Sequence, residues 1–72
     1  MKAIKLFDTI ALRQADLVHG LPAGTVGTVV ELLDGAHVEV EFADLDGVSY
    51  AEMAMPISAL LPLHHAPLNR DA

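Results

Sequence analysis

From His37 to Phe42 the chain alternates strictly, with Val38, Val40 and Phe42 set against His37, Glu39 and Glu41. A period of two places successive side chains on opposite faces of a strand, so this segment predicts a half-buried β-strand. The segment before it, Val26 to Leu33, puts Val26, Thr28, Val30 and Leu32 on one side and Val29 and Glu31 on the other, and it also predicts a strand. Between the two lies Asp34-Gly35, a dipeptide that accepts the positive φ angles of a tight hairpin turn. The two strands are therefore expected to pair antiparallel.

A second turn signal, Asp44-Leu45-Asp46-Gly47, precedes Val48 to Met55, in which Ala51, Met53 and Met55 share a face. That reading gives a third strand and a meander. Upstream, Ile10 and Leu12 alternate with Thr9, Ala11 and Arg13; downstream, Leu60 to Leu63 forms a short apolar run. Each is expected to be a terminal strand. Proline suits the first turn of a helix, so Pro56 to Ala59 is read as a single helical turn before the last strand. Gln14 to Gly24 forms a long first loop punctuated by Gly20, Pro22 and Gly24. Five short strands with glycine-rich turns, in so short a chain, predict an all-β fold: a small five-stranded SH3-like barrel that limits exposed edges. The domain is assigned to residues 1–63, with 64–72 as a flexible C-terminal tail lacking apolar periodicity.

Composition narrows the function classes. Seventy-two residues hold one domain and one core. The absence of cysteine removes disulfides, thiolate metal sites and thiol nucleophiles together, and it fits a reducing, cytoplasmic setting. Lys2 and Lys5 precede apolar residues as in a secretory signal, but Asp8 and Thr9 interrupt the run too early. No stretch approaches the roughly 18 apolar residues of a membrane helix, so no membrane association is expected. The formal net charge is -6, and the four basic residues, Lys2, Lys5, Arg13 and Arg70, sit near the chain ends. From Gln14 to Asn69 there is no Lys or Arg, while Asp16, Glu31, Asp34, Glu39, Glu41, Asp44, Asp46 and Glu52 all fall there. Such a field repels phosphate backbones, so nucleic acid is not an expected partner.

Several stretches carry order and spacing beyond simple periodicity: Phe7-Asp8-Thr9-Ile10-Ala11-Leu12, then Gly20-Leu21-Pro22-Ala23-Gly24-Thr25-Val26-Gly27-Thr28-Val29-Val30. Val38-Glu39-Val40-Glu41-Phe42 with Asp46-Gly47, and the closing Leu60-Leu61-Pro62-Leu63, complete the set. Over about Ile4 to Leu63 the chain resembles the bacterial family of short proteins known as domain of unknown function 4926 (DUF4926). The resemblance implies a compact barrel of the accessory, inhibitor or antitoxin type, acting on the product of a neighbouring gene, and it transfers no catalytic residue. The lack of basic residues in the middle of the chain separates it from ribosomal barrels of similar pattern.

The candidate chemistry is sparse. Asp44-x-Asp46-Gly47 holds half a calcium-loop pattern but lacks the other ligands, so a turn explains it. His19, His37, His64 and His65 show no zinc-site spacing and read as solvated. Ser49 and Ser58 lie in no nucleophile motif, and Tyr50 stands alone. Gly24-Thr25-Val26-Gly27-Thr28 lacks the lysine and helix of a phosphate loop; glycine there supplies positive φ or close backbone approach. No catalytic, cofactor or metal residue is assigned, and no enzyme is expected. One feature competes with its bland reading as a solubilising surface: Glu39 and Glu41, joined by Glu31 and Glu52, are expected on one outer face with no basic residue interleaved. These four are the candidate docking residues for a protein partner with a basic surface. The alternative is a homo-oligomeric structural domain, with Leu60, Leu61, Leu63 and Leu68 around Pro62 and Pro67 as a shared apolar edge.

Overall fold

A computed structural model describes residues 4–44, 46 and 48–63, with Tyr50 by its backbone alone. The expected tail over 64–72, with His64, His65 and Leu68, lies outside the described residues. Five strands follow in order: β1 (Thr9–Leu12), β2 (Val26–Leu32), β3 (His37–Ala43), β4 (Ser49–Pro56) and β5 (Leu60–Pro62). A 3-10 turn, Ile57–Ala59, stands before β5, entered from Pro56. The architecture is all-β, one antiparallel sheet in the order β4-β3-β2-β1-β5.

Alternation in the sequence chooses the core. Val38, Val40 and Phe42 from β3 are buried with Ile10 and Leu12 from β1, Val29 from β2, Met55 from β4 and Leu60 from β5, and Leu21 from the first loop joins them. Neighbouring strands lie about 4.8 Å apart, so a flat sheet of five would hold its edges about 19 Å from each other. Met55 and Leu60, from opposite ends of the strand order, nevertheless share one cluster. The sheet therefore coils around its core, and the 3-10 turn carries the chain from one edge to the other. The ladder itself stays open between β4 and β5.

Gly27 sets how tightly β2 can approach. A Cβ there would lie 2.7 Å from Val40 Cγ1, 2.8 Å from Phe42 Cδ1 and 2.9 Å from the Glu41 carbonyl oxygen. Only a hydrogen side chain leaves room for the Phe42 ring. Gly24, just before β2, has φ of +85°, the left-handed conformation that glycine adopts freely. At the N-terminal side, Phe7 N–H donates to Val29 O and Val29 N–H to Asp8 O, tying the lead-in of β1 to β2.

Two expectations change. The β2–β3 connection is not a two-residue turn with positive φ: Leu33 to Ala36 form it, and Gly35 is not left-handed. The Asp34 side chain builds it instead, its Oδ1 accepting from Ala36 N–H at 2.7 Å, while Leu33 N–H donates to His37 O. The division of β2 into faces also differs. The register runs Val29↔Val40 and then Glu31↔Glu39, so Val30 is an extra residue, a β-bulge. Past the bulge every side chain changes face. Glu31 thereby leaves the side of Val29 and joins Glu39 on the outer surface.

Candidate protein-interaction site

The outer surface of β2, β3 and β4 is the face opposite the core. Its β3 members are His37, exposed, and Glu39 and Glu41, half-buried by their neighbours, because Val38, Val40 and Phe42 take the inner positions. On β2 the bulge at Val30 sets Glu31 across from Glu39, and on β4 Glu52 stands across from Glu41. All four glutamates expected on one surface are brought together there. Thr28, opposite Glu41, and Ala54, opposite Glu39, are the neutral members of the same face.

Ladder geometry tightens the group. Ile57 N–H donates to Ala36 O at 2.8 Å, which makes His37↔Pro56 a non-hydrogen-bonded pair. Pairs alternate along an antiparallel ladder, so Glu41↔Glu52 and Glu39↔Ala54 are non-hydrogen-bonded too, the type in which side chains lie closest. Burial under its neighbours pushes the Glu39 carboxyl above its ordinary range. The adjacent carboxyl of Glu52 and then the charge of Glu31 push the same way. Among the described residues no Lys or Arg is paired with these glutamates; His37, outward on β3 two residues before Glu39, is paired with Asp34 at 3.0 Å, and His19 is paired with Asp16 in the first loop.

Three aspartates outside the face serve turns. Asp44 Oδ1 accepts from the backbone N–H groups of Asp46 and Val48 at 2.9 and 3.0 Å, an aspartate-stabilised turn rather than an open cation loop. Asp34 is held below its ordinary carboxylate range by the Ala36 N–H and then by His37. Asp16 is held down by the His19 side chain, 2.8 Å away, and by the His19 N–H. Among the described residues no group of three or more His, Asp or Glu side chains is arranged to hold a metal ion.

Two features escaped the sequence reading. One is a groove of about 480 Å³ between the first loop and the end of β4, with Arg13, Asp16 and Leu17 on one wall and Met55, Pro56 and Ser58 on the other. Arg13 Nε donates to Leu60 O at 3.2 Å, fixing that wall. Its two sides are remote in sequence, so no local pattern announces it. The other is an outer apolar row in which Ala11 pairs with Val26 on one side and Leu61 on the other. Ala11 is covered between them while Val26 and Leu61 stay exposed. Of the apolar residues expected at a shared edge, Leu60 is core, Leu61 and Leu63 are exposed, and Leu68 lies outside the described residues.

The family model described as "Domain of unknown function (DUF4926)" matches residues 6–62. No curated protein and no solved structure matches the chain.

Proposed function

The chain belongs to the DUF4926 family, and from that premise we propose that it is a non-enzymatic protein-binding module. In this reading it is an accessory, inhibitor or antitoxin-type partner of a neighbouring gene product. It docks a basic surface of that partner on Glu31, Glu39, Glu41 and Glu52. One observation carries the proposal: four glutamates share a three-strand face on which no Lys or Arg is interleaved. Exposed like charges normally alternate with opposite ones, and a face left uncompensated is complementary to a basic partner. An SH3-like barrel is the finer reading of the fold. It is supported by the coiled five-strand sheet, the long loop after β1 and the 3-10 turn before β5. A cytoplasmic setting in a bacterial cell belongs to the same reading and draws on the cysteine-free composition. Nucleic acid is not the partner in this reading, because the field over Gln14 to Asn69 is acidic.

The experiment is affinity purification from the source cells, with Glu39, Glu41 and Glu52 together changed to Lys as the comparison. A stoichiometric partner lost in the triple variant supports the reading; a partner equally retained removes the acidic face from it. At about 0.5 M salt the Debye length falls to roughly 4 Å, so binding through this face must weaken. A second reading, homo-oligomerisation, is favoured by the outer apolar row of Val26, Ala11 and Leu61. Light scattering that finds only monomer at about 100 micromolar, where mass action favours assembly, counts against it.

A further inference from the structure

β4 is the longest strand and ends the strand order, so one of its edges has no neighbour among the described residues. The pair alternation identifies the groups on that edge. Ala51, Met53 and Met55 spend their N–H and C=O groups on β3, so those of Glu52 and Ala54 point the other way. Between Ser49 and Met55 there is no proline, and Glu52 is the one charged residue. At the Ser49 end the register shift between Phe42 and Ala43 bends the ladder and limits the usable edge to about Ala51–Met55. The edge joins two surfaces. On the outer side Glu52 and Ala54 continue the acidic face; on the inner side Ala51 and Met53 pack partly buried against the core.

We propose that this β4 edge receives an extended segment of the partner protein as a sixth, hydrogen-bonded strand, basic on the acidic side and apolar on the side of Met53. The proposal rests on the reading of the acidic face given above and specifies how the partner engages it. The backbone groups of Glu52 and Ala54 supply the pairing, and side chains alternate across the new strand as in any ladder. Residues opposite Glu52 and Ala54 fall beside Glu52, with Glu39 and Glu41 one strand further in on the same face, which selects Lys or Arg; the residue between them falls beside Met53, which selects an aliphatic side chain. Charge also disfavours a second copy as the occupant. Two β4 edges pairing antiparallel would bring Glu52 and the acidic face of one chain beside those of the other.

The test uses the acetylated, amidated peptide Lys-Val-Lys-Val-Lys-Val, the same peptide N-methylated at alternate backbone nitrogens, and the Glu-Val counterpart. Each is titrated into isotopically labelled protein and followed by amide shifts and hydrogen exchange. The expected result is saturable binding of the first peptide, with slowed exchange of the Glu52 and Ala54 amides and little change at Met53. The N-methylated peptide should bind roughly tenfold or more weakly, and the acidic one not at all. Ala54→Pro removes an edge N–H without touching the β3 ladder and should weaken binding similarly. If that variant fails to fold, the N-methylated peptide decides alone. Equal binding of both basic peptides, or shifts across the glutamates without slowed exchange at positions 52 and 54, overturns the added strand and leaves the acidic face standing. No binding of either basic peptide overturns both, as does a free protein already dimerised through β4.

Discussion

At Gly27 the missing side chain is as informative as any present one. The Phe42 ring and the Glu41 carbonyl occupy the space a Cβ would need, and a backbone oxygen cannot turn aside as a side chain can. Gly27→Ala is expected to destabilise the fold by about 1–3 kcal/mol, the range for overfilling a packed core, read as a lowered denaturation midpoint. Glu39 gives the matching prediction for charge. Its carboxyl is raised by burial and by Glu52 and Glu31, so the folded chain holds that proton more tightly than the unfolded chain does. Stability from this group is therefore fully present at low pH and is lost as pH rises through the carboxylate range. Glu39→Gln cannot ionise, so its Tm should exceed the parent's at neutral pH, and the gap should close on acidification below the ordinary value of 4.5. A gap independent of pH would refute the assignment. Asp16 and Asp34 work in the opposite sense, since their lowered carboxyls lose stabilising contacts below the ordinary 3.8.

Among elements, the β2–β3 hairpin holds both a side-chain-built turn and the bulge that completes the acidic face. Removing the Asp34 acceptor leaves the Ala36 N–H to water, so Asp34→Ala should lower the midpoint of a denaturant titration. Deleting Val30 is a stronger test. Without the extra residue, either Glu31 turns to the side of Val29 and Val40, or the hairpin slips by one position and exposes its apolar set. Either outcome should lower stability by about 2 kcal/mol or more, and circular dichroism with thermal melting would measure it. A deletion tolerated without loss would mean that the bulge does not fix the register.

The whole molecule has a divided outer surface. The β2–β3–β4 half carries Glu31, Glu39, Glu41 and Glu52, and the β2–β1–β5 half carries Val26, Ala11 and Leu61. These halves predict different responses to salt. Association through the acidic half should weaken as ionic strength rises, whereas association through the apolar row should persist or strengthen in sulfate. Comparing partner binding and self-association at low and high salt separates the two modes in one experiment. A salt-insensitive partner complex would shift the interface to the apolar row.

Strands β2, β3 and β4, the 3-10 turn after Pro56 and the inward set Val38, Val40 and Phe42 were all legible in the sequence. Period-two alternation reports directly which side chains face water. The grouping of Glu39 and Glu41 followed from the same alternation, and the lack of basic residues was readable by inspection. The bulge at Val30 was not legible, because nothing local distinguishes an extra valine from a paired one; only the partner strand defines it. The turn at Asp34-Gly35 was legible in its place but not in its kind, since the Asp34 carboxylate satisfies the backbone and glycine's left-handed freedom goes unused. The free edge of β4 and the groove beside Arg13 were equally hidden, since each depends on which strands are neighbours and how far the sheet coils. Alternation along a strand is a local property, fixed by its own residues, whereas register, edges and clefts are relations between segments far apart in the chain. Those relations exist only once the core has closed.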